Sequence, residues 1–390
     1  MSKLDHNLNE EGESGVIAVL IAILISTGFV IALFVFVADT SAIYSERRVV
    51  QNSADSAAVA LAQECAIDGK GAITGVKSAY PSIVCGTASY AYEFAGNYAN
   101  INSPDLKTSI TEVCGVSPLN SCQNQNQALF KCQNVAAEYT KYVRVSTNTE
   151  TQTGSALIPI FQSLLKSNSA VDAVGCANVA WGKSSFAPIF FPIALPICDY
   201  TNEGTKVISD FKSNDPVVTG GCQITDLNGV NFSYSSPTKG FSLLANFACP
   251  GSADPVRVTV GTTLQIESSL QQVEQSCGTS TAFYSRLSTF IGTQFFLPVV
   301  TSVICNSNNN NCQGNYQFQV ASFFSFKYLG SKFKNNSTIG SAPPSGWPSY
   351  CNSTSNCLYG TFSKSVVPGA DVSTDPNFPA VGAQAVQLLP

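Results

Sequence analysis

The chain has 390 residues, enough for a large core and two or three domains, and a net charge of −5. Only 12% of its residues are charged, about half the usual share, with Ser, Thr, Asn, Gln and Gly in their place. Its 20 Lys and Arg are dispersed, so no electrostatic footprint for nucleic acid exists and that partner is excluded.

The first element is decisive. Val16 to Val37 is a run of 22 residues without a charge, Asn, Gln or Pro. As an α-helix it spans about 33 Å, enough to cross the roughly 30 Å apolar core of a bilayer. A helix is also the form that satisfies its own backbone hydrogen bonds in lipid. The partner this predicts is the membrane lipid bilayer. A buried core helix would not be apolar around its whole circumference for six turns. A cleaved signal peptide is the stronger rival, and the small residues near Thr40 and Ala42 leave cleavage open. Its apolar region is normally about 7–15 residues behind a basic start. Here the run is longer and follows an acidic tail containing Asp5, Glu10, Glu11 and Glu13. A retained single-pass anchor is the preferred reading.

The helix is predicted to continue beyond the membrane. Asp39 to Cys65 contains neither Gly nor Pro and is rich in good helix formers. Ile43, Val50, Ala54, Ala57, Ala58, Leu61 and Cys65 fall on one face at helical spacing, and Ser45, Arg48, Asn52, Asp55, Ser56 and Gln63 on the other. Asp68-Gly-Lys-Gly71 supplies the stop. A narrow stripe of Ala54, Ala57, Ala58 and Leu61 predicts close packing, against the domain's own core rather than a partner helix.

Residues 66–140 read as helical stretches among cysteine-bearing loops, with AYEFAGNYAN and NQALFKCQNVAAEY as short helices. From Tyr139 the period changes to two: TKYVRVSTNTET reads as a strand and AVGCANVAW as its partner, flanking the apolar run SALIPIFQSLLKS. FAPIFFPIALPIC, RVTVGTTLQI, TQFFLPVVTSVIC and YQFQVASFFSFKYLG are further β-like runs, separated by loops at 202–221, 305–315 and 334–357. The runs ending at Cys198 and Cys305 look alike, which buried strands do without any duplication. The Pro/Ala/Asp-rich stretch after Pro368 is predicted to be disordered.

All 14 cysteines follow the apolar run, none at C-x-x-C spacing, and the one histidine, His6, precedes it. That pattern argues against zinc and for a disulfide framework in an oxidising compartment. Two short loops identify candidate pairs, Cys305–Cys312 and Cys351–Cys357. The cysteines also set orientation: residues 1–15 are read as cytoplasmic and 38–390 as extracytoplasmic. Arg47 and Arg48 oppose this, but long domains cross largely regardless of flanking charge.

No catalytic, cofactor-binding or metal-binding residue is predicted. Without histidine in the outer region there is no Ser–His–Asp or Cys–His arrangement, and Walker A and G-x-G-x-x-G loops are missing. An adhesion-type D-x-S-x-S metal site fails at Asp39-Thr-Ser41-Ala-Ile43, and Asp371-Val-Ser373-Thr-Asp375 is followed by too little chain.

The acidic tail, the apolar helix, Tyr44, the basic pair Arg47-Arg48 and Gln51-Asn52-Ser-Ala54-Asp55-Ser-Ala57-Ala58 form a recognisable series. They resemble the amino-terminal segment of TadE/TadG-like proteins of Flp (tight-adherence) pilus assembly. Tyr142-Val-Arg-Val-Ser146 and Ala180-Trp181-Gly182 look similar to the larger, TadG-type members. The resemblance implies a membrane-anchored, non-enzymatic assembly component without cofactors. Its implied partners are other pilus-assembly membrane proteins or pilin subunits. Two features depart from related patterns: the Glu that follows the cleaved Gly of processed prepilins is missing after Gly12 and Gly15, and so is the metal-binding motif of some family members.

The predicted fold is α+β: a cytoplasmic tail (1–15), a transmembrane helix (16–37), its extracytoplasmic extension (38–65), a mixed helix/strand domain (66–183), a disulfide-rich β domain (184–367) and a disordered tail (368–390). The rival functional reading is a cell-surface binding protein or adhesin independent of any pilus.

Overall fold

The computed structural model describes residues 7–67, 88–103, 108–116, 119–122, 132–149, 173–199, 204–210, 222–225, 230–234, 240–244, 249, 255–267, 270–305, 316–334 and 337–389. The first element is one unbroken helix, α1, from Asn7 to Ala66. At about 1.5 Å per residue its 60 residues make a rod of roughly 90 Å. Its most apolar 18-residue window has a mean hydropathy of 2.9, and none of that window is buried by the protein. Among the described residues it is the one helix long and apolar enough to cross a membrane. An apolar surface this large in water would be unfavourable, whereas lipid covers it.

From Val50 onward the rod is packed. A second helix, α2 (Ala88–Ile101), lies beside it, and both cover one face of an antiparallel sheet. That sheet runs in the order β1 (Thr108–Gly115), β2 (Tyr142–Thr149), β3 (Val174–Lys183) and β16 (Gln384–Leu389). Strand alternation sends Val143, Val145, Ala177 and Val179 toward the helices. They meet Ala54, Ala57, Ala58 and Leu61, none of which is exposed at all. The runs read as strand partners, β2 and β3, pair from Tyr142↔Ala180 to Asn148↔Val174.

Between β3 and β16 the chain builds a larger β body. The strands in chain order are β4 (Phe186–Ile189), β5 (Ile193–Pro196), β6 (Gly204–Ser209), β7 (Cys222–Thr225), β8 (Asn231–Tyr234), β9 (Ser242–Leu244), β10 (Val256–Thr259), β11 (Thr263–Glu267), β12 (Gln294–Cys305), β13 (Tyr316–Lys332), β14 (Thr338–Gly340) and β15 (Cys357–Ser363). β13 organises them, because its 17 residues pair with β12, β11, β14 and β15. The path β11-β9-β5-β12-β13 returns to β11 through Thr263↔Gln319, so these five strands form a closed ring without free edges. Phe324, Phe326 and Tyr328 face one core and Phe318, Val320 and Phe323 another. Burial on both faces explains why β12 and β13 read as nearly continuous apolar runs. The two similar runs are neighbours, with β5 and β12 parallel at Val299↔Leu195.

Several expectations change. Residues 368–389, the described part of the stretch 368–390 expected to be a disordered tail, are ordered. Ala383 and Ala385 are fully buried, and β16 pairs with β3 from Gln384↔Lys183 to Leu389↔Asn178. Composition hid this because the partner strand lies some two hundred residues away. The stretch 202–221, read as loop, contributes β6, which pairs with β15. The helix predicted in NQALFKCQNVAAEY does not form in its described part, residues 132–139. There the chain is pinned instead by the Cys132–Cys176 disulfide and by side chains bonding the Gln133 carbonyl. Cys351 and Cys357 are bonded, as are the pairs 114–122, 198–222 and 249–277. The Cys305–Cys312 loop, the stop after Ile67 and the run SALIPIFQSLLKS lie outside the described residues.

The fold makes β16 the clasp between the β body and the helix-bearing sheet. Gly382 enters it at φ +76°, a conformation open to glycine, and the Ala383 amide donates to the Phe323 carbonyl at 2.7 Å. A chain stopped before Gln384 is expected to lose protection across β1–β3 while still forming Cys198–Cys222 and Cys351–Cys357. Limited proteolysis with mass mapping checks this; an unchanged cleavage pattern would show that β16 does not hold the sheet.

Candidate functional site

The strongest constellation is the seam where α1 leaves its stalk, in which Asp39 alone is buried, and enters the domain. Residues 38–49 rise about 18 Å beyond the apolar stretch, with Tyr44, Ser45, Arg47 and Arg48 exposed. At Val50 the helix meets β3 backbone to backbone. A Cβ placed on Gly175 would lie 2.5 Å from the Val50 carbonyl oxygen and 2.8 Å from the Gln51 nitrogen, so no larger residue fits. The neighbouring Thr147 hydroxyl donates to the same Val50 carbonyl at 2.9 Å.

Gln51 then completes the sheet. Its Nε2 donates to the Cys176 carbonyl at 2.8 Å and its Oε1 accepts from the Cys176 amide at 3.1 Å. The described ladder between β16 and β3 reaches Asn178, two residues short of Cys176. The side-chain amide of Gln51 thus does for this edge what another strand's peptide group would do. Without it, a half-buried N–H and C=O would each lose a hydrogen bond, at about 0.5–1.5 kcal/mol apiece. Gln51 Nε2 also donates to Asp55 Oδ1 at 2.8 Å, one turn further along. Burial holds the Asp55 carboxyl above its usual range, and the Gln51 bond offsets this only in part.

Behind the same strand a polar cluster locks β3 in place. The buried Arg144 donates from Nε to Asn178 Oδ1 at 2.9 Å and from Nη2 to the Gln133 carbonyl at 3.0 Å. Asn178 Nδ2 donates to that carbonyl as well, at 2.8 Å, and the adjacent Cys132 is bonded to Cys176. Both faces of Cys176 are therefore engaged, one by α1 and one by segment 132–133.

The residues singled out in the sequence fall into two groups. Gln51, Ala54, Asp55, Ala57, Ala58 and Leu61 meet at the seam, whereas Tyr44, Arg47, Arg48 and Asn52 point outward. The face expected to be polar and solvated is narrower than predicted: Asp55, Ser56 and Gln63 are half-buried because the helix is flanked by both sheet and α2. Small Ala and Ser side chains allow that approach on two sides. Gly175, Cys176, Thr147 and Asn178 were not singled out. The signal for Gly175 was its place inside a strand pattern, where glycine marks close backbone approach. Among the described residues no group of three or more His, Cys, Asp or Glu is arranged to hold a metal ion.

Residues 15–64 match the model of the putative Flp pilus-assembly TadE/G-like family. No curated protein and no solved structure matches the chain. The TadE/G-like segment thus comprises the exposed apolar length of α1, the stalk and the seam as far as Glu64, two residues short of the end of the helix. It contributes every α1 residue of the seam, while the receiving sheet lies outside it.

The seam makes graded predictions for stability. Gly175→Val should be the most damaging, since it forces the α1 and β3 backbones apart, at several kcal/mol. Gln51→Ala should cost about 1–3 kcal/mol, and Asn52→Ala should stay within about 0.5 kcal/mol. Thermal unfolding of the full chain in detergent ranks them; equal losses at positions 51 and 52 would remove Gln51 from its assigned role. A second prediction concerns pH. The folded state holds the Asp55 proton more tightly than the unfolded chain, so this group's contribution to stability falls as pH rises through the carboxylate range. Asp55→Asn should flatten that dependence above the ordinary carboxylate pKa, and a pH series of unfolding midpoints for the two proteins tests it.

Proposed function

We propose that the chain is a membrane-anchored, non-enzymatic component of a Flp-type pilus-assembly apparatus. Its apolar helix sits in the bilayer, residues 1–15 face the cytoplasm, and the remainder is extracytoplasmic. The TadE/G-like match supports a role in Flp pilus assembly, and a single N-terminal apolar helix fits membrane anchoring. One observation carries the finer reading: the helix that bears the apolar stretch is the same helix whose matching segment is seated on the outer domain's sheet. The anchor and the domain are continuous, with no flexible linker between Val16 and Ala66. A force or displacement at the membrane is therefore passed to the domain through a stiff rod. That suits a part that holds or positions other subunits better than one that only needs tethering. The disulfides at 114–122, 132–176, 198–222, 249–277 and 351–357 support the outward orientation, since such bonds persist in oxidising compartments.

The implied partners are other membrane components of the apparatus or pilin subunits, and the outward-facing Arg48 and Asn52 are the seam residues available to them. Deleting the gene should abolish or sharply reduce surface fibres counted by electron microscopy. Wild-type protein should restore them, and a Gly175→Val variant that still reaches the membrane should not. Unchanged piliation in the deletion strain would refute the assembly role.

A further inference from the structure

A second feature, at the other end of β3 from the seam, has the properties of a binding site. Between the helix-bearing sheet and the β body lies an open cleft of about 620 Å³. This is within the range of small-ligand sites, which favour junctions between structural units. Four aromatic residues line it: Tyr139, Trp181, Phe378 and, from β8, Phe232. Each principal aromatic is backed by a core: Trp181 packs on the core beneath α1, and Phe378 on the large core of the β body. Their rings are held from behind and only partly covered in front.

The walls are also tied to each other. Lys183 Nζ donates to the Phe378 carbonyl at 2.8 Å, the Ser373 amide donates to the Lys183 carbonyl at 2.8 Å, and Ser184 bridges to Val372. The cleft is therefore preformed, and a ligand entering it need not pay for assembling the walls. Around the rings lie the hydroxyls of Thr140, Ser373 and Thr374, of which Thr140 and Thr374 are exposed.

This combination selects a chemical class. The charged lining residues are of both signs, Glu138 against Lys141 and Lys183, so no single-sign field draws an anion or a cation. A purely apolar ligand would leave the hydroxyls of the lining without any bond to it, and would strip water from the half-buried Ser373. A peptide strand would require a free sheet edge, and at this wall β3 is already paired on both sides, with β2 and β16. A pyranose presents apolar C–H faces that stack on aromatic rings, and hydroxyl edges that exchange hydrogen bonds with Thr and Ser. The geometry points to this cleft as a binding site for a neutral oligosaccharide.

The chain has two tryptophans, Trp181 and Trp347, so Trp347→Phe leaves Trp181 as the sole indole reporter. Full-length Trp347→Phe protein in detergent is titrated with cellotetraose and, separately, with chitotetraose. At least one should shift the Trp181 emission saturably, with a Kd of about 0.1–1 mM. Calorimetry with the wild-type chain should give the same value. Thr374→Arg, which fills the cleft from an exposed position without touching a core, should weaken binding at least tenfold while the unfolding midpoint is unchanged. Trp181→Ala should do the same if it folds. No saturable change with either sugar overturns the assignment, as does binding indifferent to Thr374→Arg. Saturable binding of a proline-rich peptide in place of both sugars would overturn it as well. The assay is blind to pilus assembly, so its result and that of the deletion experiment fail independently.

Discussion

Everything else in the first domain depends on one contact: α1 lying flush against the β3 backbone at Gly175. Helix and strand can approach this closely only because Gly175 has no side chain and the helix presents Ala and Ser on that side. Once they are this close, the Cys176 peptide group is half-buried, and water's access to its hydrogen-bonding groups is reduced. Gln51 pairs with both. Steric closeness thus creates the requirement, and the side-chain amide answers it. Burial of Leu61 and the alanines then follows from the same approach. Truncating Leu61, fully enclosed there, would cost about 2–5 kcal/mol.

The parts legible in the sequence are those fixed by local periodicity. The apolar run announces itself by length alone, the helical extension by its freedom from Gly and Pro, and β2, β3, β12 and β13 by their patterning. The disulfide of the five-residue loop from Cys351 to Cys357 was readable because short spacing leaves few alternatives. What was hidden is non-local. β16 looked disordered because Pro376, Pro379 and Asp375 dominate the composition just before it, and its pairing partner is encoded two hundred residues earlier. β6 is short and lies among Gly, Asn and Asp. Segment 132–139 has helix-forming residues, but a disulfide and two side-chain bonds to one carbonyl outweigh that propensity.

The candidate seam was half legible for a related reason. A motif on a helix shows which residues recur at helical spacing, yet not which of them turn inward. Gln51 and Asn52 are neighbours of similar chemistry, and only the position of β3 sends one to the sheet and the other to solvent. The receiving residues carry no motif at all: a glycine, a disulfide cysteine and a threonine in a strand are individually commonplace. Their meaning comes from what is laid across them.

The sheet that seats α1 is completed by β16, and this orders events in time. Residues 384–389 are made more than three hundred residues after the helix has formed its last turn. At about 5–20 residues per second, tens of seconds separate the two. During that interval the apolar length can already reside in lipid, while the seam lacks its fourth strand. The helix can be seated once β2 and β3 are made, and the sheet beneath it is closed only when synthesis has passed Leu389. Contacts of such long sequence separation also close slowly. Full closure of this sheet is acquired late, because its fourth strand is made some two hundred residues after the strand it pairs with.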